Sequence, residues 1–155
     1  MKVSYSSVFE QTADQVWAVI RDFNSYPVWV ATVSESYLED GKGGDSVGAI
    51  RNFVESGTRI RQKLLAHSDL DRSYVYESCG ALGAITHYQG TARVLPIRDG
   101  DRALLEWSVT FECPAGDEMS CTRDLEEAMP QWFKSLRGVL EGRAEGGARV
   151  HRGEV

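Results

Sequence analysis

The feature that most constrains this chain is a run of strand-like segments between residues 32 and 112, separated only by short turns. Six segments, 32–39, 46–54, 58–67, 72–79, 86–96 and 102–112, are divided by "EDGKGGD", "ESG", "HSDLD", "CGALGA" and "IRDGD". Turns of this length and chemistry join strands that run in opposite directions, because a parallel connection needs a crossover of about a dozen residues. One long antiparallel sheet follows. Ahead of it, "KVSYSSVFE" reads as a first strand. Thr12 reads as the N-cap of a helix over "ADQVWAVIRDF", with Gln15 at capping-box spacing and Val16, Trp17, Val19, Ile20 and Phe23 on one face. "NSYP" breaks that helix, and "VWVATV" follows as a short helical turn or a loop. A last helix over 117–141 carries the stripe Leu125, Ala128, Met129, Trp132, Phe133, Leu136, Val139 and Leu140, with Pro130 near its middle. A proline there forfeits one backbone hydrogen bond and crowds the preceding turn, at a cost of about 3 kcal/mol.

The order β, αα, six β, α is an α+β arrangement in which a strongly curved sheet wraps the long last helix. A single domain over 1–141 is expected. The tail 142–155, "GRAEGGARVHRGEV", lacks periodicity and is expected to be mobile. The chain has 155 residues, 42% of them hydrophobic, which suffices for one core. Its net charge of -6 argues against a nonspecific nucleic-acid or anionic-membrane binder, since both need basic patches. The start "MKVSYSSVFEQ" reads as neither signal peptide nor anchor, and no apolar run is long enough to span a bilayer, so the expectation is a soluble cytoplasmic protein. Cys79, Cys113 and Cys121 show no disulfide framework. With His67, His87 and His151 they form no metal set, and neither a phosphate loop nor a dinucleotide fingerprint is present. No metal and no cofactor are expected.

Alternation sorts strand residues between two faces. In "TRIRQKLLA" the apolar face holds Thr58, Ile60, Gln62, Leu64 and Ala66, with Gln62 its polar member. Arg59, Arg61 and Lys63 form a basic outer row, read as a solvated face. "SYVYES" puts Tyr74, Tyr76 and Ser78 together, and "THYQGTARV" puts Tyr88, Gly90, Ala92 and Val94 inside, with His87 outside. For "VGAIRNFV" periodicity does not choose between Val47, Ala49, Arg51, Phe53 and Gly48, Ile50, Asn52, Val54. The inner face combines small residues with tyrosines and a glutamine. Solid cores prefer dense Leu, Ile, Val and Phe, whereas a polar cluster inside an apolar cavity is the usual look of a small-molecule site.

The segment "TADQVWAVIRDFNSYPVWV", followed by "VGAIRNFVESG", "IRQKLLAHSDLDRSYVYE", "HYQGTARV" and "LLEWSVTFECPAGD", resembles the Bet v 1-like, or START-like, helix-grip superfamily across residues 2 to 141. Within it the chain looks most like the branch of polyketide cyclases, dehydrases and lipid transporters. A fainter similarity to plant abscisic acid receptors implies a ligand pocket containing Arg51, Gln62, Tyr88 and Glu106, although the receptors carry a glutamate in place of Gln62. Trp29, Phe53, Tyr76, Trp107, Ala128 and Trp132 are the expected walls. Alternation in "LLEWSVTFE" instead favours Leu105, Trp107, Val109 and Phe111 inside; a bulge would bring Glu106 in, or Trp107 would cover the outer edge.

The resemblance implies a hydrophobic, aromatic or polyketide-like ligand and a monomer or homodimer. In an enzyme of this kind Arg51 would hold an enolate or carboxylate, Glu106 would be the acid–base group, and Tyr88 would donate to a ligand carbonyl; such a site would catalyse cyclisation and dehydration. The alternative is a non-catalytic binder or carrier. Each residue also has a plainer role open to it: an Arg51–Glu106 structural ion pair, a Tyr88 bonded to backbone, a Trp29 that only anchors the core.

Overall fold

The structure, a computed structural model, describes residues 1–153, with side chains through Arg143. The elements are β1 (Lys2–Phe9), α1 (Ala13–Ile20), α2 (Tyr26–Trp29), β2 (Val33–Leu38), β3 (Ile50–Glu55), β4 (Thr58–Ser68), β5 (Ser73–Ser78), β6 (His87–Ile97), β7 (Arg102–Glu112) and α3 (Glu118–Gly153). They follow the expected order of strand, two helices, six strands and a long helix. The strands form one seven-stranded antiparallel sheet in the order β1-β7-β6-β5-β4-β3-β2. Only β1 leaves the sequential meander, pairing with β7 at the far edge, so α1 and α2 carry the chain from one edge of the sheet to the other.

Helix α1 begins as its sequence dictates. The Thr12 hydroxyl accepts from the Gln15 backbone N–H at 3.1 Å, and the Gln15 side chain accepts from the Thr12 N–H at 2.9 Å. Its apolar face buries Val16, Trp17, Val19 and Ile20 against β6 and β7. Each such side chain contributes roughly 1.5–3 kcal/mol when fully buried. Asp69, in the β4–β5 turn, staples this helix to the sheet. It accepts from Trp17 Nε1 at 2.8 Å and from Arg21 Nε and Nη2 at 2.9 Å each. The Arg21 hydrogen bonds hold the Asp69 carboxyl well below the usual carboxylate range.

Pairing resolves the strands that alternation left open. On β3, Arg51 and Phe53 point into the core and Glu55 follows them on the same face, while Asn52 lies on the outer face beneath polar cover from Glu39 and Arg59. This strand starts at Ile50 rather than 46, because the chain turns through Gly48 at φ 91°, a left-handed conformation that glycine adopts freely. On β4 a bulge interrupts the pattern: Leu64 faces Tyr76 but Ala66 faces Val75, so Leu65 is an extra residue. Ala66 is therefore exposed, against expectation, and His67 turns inward beside Trp17. On β7 no such interruption exists, for Arg102–Glu112 pair residue by residue with β6. Leu105, Trp107, Val109 and Phe111 are buried, and Glu106 is exposed on the outer face.

The small residues of the inner face serve close packing at one point. A methyl group on Gly90 would collide with the ring and hydroxyl of Tyr76, which lies directly over that glycine. The basic outer row is matched by acids: Arg59 pairs with Glu35 at 3.1 Å and Arg61 with Glu39 at 2.8 Å. Arg61 pushes the Glu39 carboxyl down to about 2.

Pro130 lies about three turns inside α3, not in its first turn. Beyond it, Phe133, Leu136 and Leu140 are buried in the core. The expected tail at 142–155 begins within this helix; the side chains of 144–153, and residues 154–155 altogether, lie outside the described residues. No described helix is long and apolar enough to cross a membrane.

Candidate functional site

A cavity of about 390 Å³ opens between the inner face of the sheet, α2 and the first half of α3. That is within the roughly 300–1,000 Å³ of small-molecule sites. Its apolar walls include Val30, Ile60, Leu82, Ile85 and Leu125. The β5–β6 loop, with Leu82 and Ile85 paired across its tip, forms one side of the mouth. The exposed rim consists of Gly83, Ala84 and Asp124. From α3 the wall takes Ser120, Cys121, Asp124, Leu125 and Ala128, all before Pro130, and then Trp132.

Trp29 is held in the wall from both sides. Its indole N–H donates to Ser25 Oγ at 3.1 Å, and the Ser135 hydroxyl donates to its carbonyl while accepting the Ala31 N–H at 3.1 Å. Ser135 thus ties α2 to the half of α3 beyond Pro130.

Behind the wall sits Arg51, 1% exposed. Its Nε and Nη2 donate to Gln62 Oε1 at 3.0 and 2.7 Å, and Nη2 also donates to the Tyr26 hydroxyl oxygen at 2.7 Å. The guanidinium lies 3.8 Å from the ring centre of Tyr26, 4.0 Å from that of Phe23 and 4.7 Å from that of Tyr76. Cation–π contacts of this kind contribute about 2 kcal/mol or more once desolvated. Burial works against the charge, and the surrounding tyrosines more than offset it, so Arg51 stays protonated. No carboxylate lies within ion-pair distance of it among the described residues. The ion pair with Glu106 considered from the sequence does not exist. A cage of aromatic faces and neutral acceptors carries the charge instead.

Two of the groups that Arg51 touches, Tyr26 and Gln62, themselves line the cavity. The Tyr26 oxygen already accepts from a cation, so its own hydrogen is a charge-assisted donor. Burial pushes the Tyr26 hydroxyl well up, with Arg51 pulling it back in part. Burial, and then Tyr76, push the Tyr88 hydroxyl well up too. Both phenols therefore stand in the wall protonated.

The carboxyl of the site is Glu55, the last residue of β3 and half-buried in the cavity wall. Burial raises its proton affinity, and the Arg51 charge lowers it by less. A carboxyl raised in this way is a stronger base than an ordinary glutamate, the property sought in Glu106.

Of the expected residues, the cavity brings together Trp29, Phe53, Gln62, Tyr88, Ala128 and Trp132. Arg51 is one layer back. Tyr76 and Trp107, expected in the wall, are also behind it; Trp107 donates its indole N–H to the Tyr76 hydroxyl at 3.1 Å, and the two fill the space beneath the cavity floor residues. Glu106 is corrected outright, because unbroken pairing on β7 puts every even-numbered side chain from 104 to 112 on the face away from the buried row. Tyr26 and Glu55 went unseen. For Glu55 the signal was present: once Arg51 and Phe53 are inward, the next residue at strand spacing is Glu55.

The family model described as polyketide cyclase/dehydrase and lipid transport matches residues 1–141. No curated protein matches the sequence. Among solved structures, a protein from Nitrosospira multiformis superposes with a TM-score of 0.80 at 25% identity, over 92% of this chain and 99% of its own. XoxI from Bacillus cereus gives 0.79 at 25% identity, over 90% and 94%. Ara h 8.0201 gives 0.70 at 14% identity, over 92% and 98%, a likeness of fold alone, and that fold is the Bet v 1-like helix grip.

Proposed function

The chain belongs to the polyketide cyclase/dehydrase and lipid transport family, and on that premise we propose that its cavity binds a hydrophobic, aromatic or polyketide-like molecule and promotes its cyclisation with loss of water. Membership itself implies hydrophobic-ligand binding. The chemistry rests on one observation: a carboxyl of raised proton affinity, Glu55, shares an apolar cavity with two protonated tyrosines. In an aldol closure Glu55 takes the proton from the carbon next to a ligand carbonyl. Tyr26 and Tyr88 donate to the oxygens on which negative charge develops. Glu55 passes that proton to the alkoxide formed as the carbon–carbon bond closes, then takes the second proton from the same carbon and gives it to the new hydroxyl, which leaves as water as the double bond forms. Arg51 is a positioning residue that polarises Tyr26 and Gln62 from behind, and water exclusion by the apolar walls strengthens each of these interactions.

The carrier reading keeps one specific support. Among the described cavity residues, Glu55 and Asp124 are the only carboxyls, and Asp124 stands at the exposed rim. A single acid–base group suits a mild catalyst or none. Turnover of an aryl 1,5-diketone to its cyclic enone, followed by ultraviolet absorbance, separates the two. As an enzyme, the protein loses about a hundredfold in kcat on Glu55→Gln while its affinity for the diketone changes little. Tight binding with no turnover by the unaltered protein would establish the carrier.

A further inference from the structure

The charge of this site is lopsided. Arg51 is a full positive charge directly behind the wall, neutralised by no carboxylate among the described residues. Its hydrogen bonds run to Tyr26 and Gln62, and both of those residues face the cavity. The Tyr26 hydrogen cannot point back at Arg51, which already donates to that oxygen, and among the described residues it has no acceptor, so it is left for a ligand to take. A neutral ligand leaves this donor partly used. An anionic group placed against Tyr26 and Gln62 satisfies it and supplies the missing counter-charge.

Glu55 makes the choice conditional. As a carboxylate it is the counter-charge nearest to hand and a repulsive neighbour for any second anion. The titratable and charged groups that line the cavity with it are Tyr26 from α2, Tyr88 from β6, and Cys121 and Asp124 from α3, and Arg51 acts on it from its own strand. Of these only Arg51 is a cation, and one cation is shared between two possible anions. Two negative charges cannot both stay in so small an apolar space, and the one that can shed its charge by taking a proton is Glu55.

We propose that the cavity selects hydrophobic ligands carrying one acidic group, binds them as anions against Tyr26 and Gln62, and couples each binding event to protonation of Glu55. This holds only if the cavity is the ligand site proposed above. For a carboxylate ligand the proton comes from solvent. For a phenol or enol it is the ligand's own, the ligand O–H bond breaking as the Glu55 O–H bond forms. Glu55 is thus a specificity-determining residue: Tyr26 and Gln62, backed by Arg51, favour the acid over its neutral counterpart, and Glu55 sets the pH range over which the acid is admitted, because it must take up a proton first.

Titration calorimetry of the full chain with 2-naphthoate and with neutral 2-naphthamide tests this. Near neutral pH the carboxylate is expected to bind at least about tenfold more tightly than the amide. Repeating the naphthoate titration in phosphate and in Tris, whose ionisation heats differ, counts protons directly. The unaltered protein is expected to take up a fraction approaching about one proton per ligand, and its affinity to fall as pH rises. Glu55→Gln is expected to keep naphthoate binding and lose the uptake. Equal affinity for acid and amide overturns the charge selection while leaving the cavity as the ligand site. Naphthoate bound without proton uptake by the unaltered protein overturns the coupling, with no variant needed. If neither compound binds, the reading of the cavity falls together with the proposal.

Discussion

Glu55 and Glu106 show how much one residue's register can decide. They lie on opposite faces of the same sheet, one half-buried in the cavity wall and the other exposed to solvent. Glu55 also lends itself to a stability measurement. Its folded-state proton affinity is raised by burial, so the folded chain holds that proton more tightly than the unfolded chain. Stability from this group is present at low pH and is lost as pH climbs from the ordinary glutamate value of about 4.3 through the higher folded value. Glu55→Gln removes the effect. Its melting temperature is expected to match the unaltered protein near pH 4 and to exceed it, by a few degrees, once pH has risen past the folded value. A gap of opposite sign at pH 8 would mean that Arg51 stabilises Glu55 as a carboxylate. At this scale the sequence was readable wherever a strand alternated cleanly. Gln62, Tyr88 and Trp107 took the faces assigned to them. Glu106 was placed inward by likeness to other proteins against its own alternation, and the alternation held. Tyr26 escaped because a helix of four residues has no periodicity to betray which side it buries.

Elements were legible for a different reason. Turn chemistry marked every strand boundary to within a few residues, and the capping box fixed where α1 starts. The exceptions are backbone irregularities with no signature of their own. The extra residue Leu65 looks like any other strand residue, yet it turns Ala66 out and His67 in. Pro130 is the reverse, a visible irregularity whose consequence needed the structure. It lacks the N–H that would bond the carbonyl of Glu126, and it divides α3 between a stretch that lines the cavity and a stretch that locks onto the core, α2 and β1. Pro130→Ala restores that donor. It is expected to stabilise the fold, with a ceiling of about 3 kcal/mol, and to slow ligand entry by stiffening the cavity side of the helix. Thermal melts and stopped-flow binding read the two effects separately. Destabilisation by this substitution would show that the preceding turn is shaped around the proline.

For the whole molecule, the sheet order and the single long helix make one container, and its aromatic residues are not spread evenly through it. Phe23, Tyr26, Phe53 and Tyr76 surround Arg51, and Trp107 connects that group to Trp29 at 5.8 Å and to Trp132 at 6.1 Å between ring centres. The fourth tryptophan, Trp17, stands outside this cluster, with Tyr74 between it and Trp107, tilted against His67 at 5.4 Å and bonded to Asp69. Two of the three clustered indoles face the cavity, and the third is within a few ångströms of both. Excitation absorbed by any of the three can pass among them. A guest that absorbs in the near ultraviolet drains these three most strongly and Trp17, one ring further off, less completely. On saturation with such a guest, emission from Trp17→Phe should therefore fall by a larger fraction than that from Trp29→Phe, which keeps Trp17 and loses one cavity indole. The protein comes with its own optical gauge of occupancy, read against an indole that stands outside the cluster.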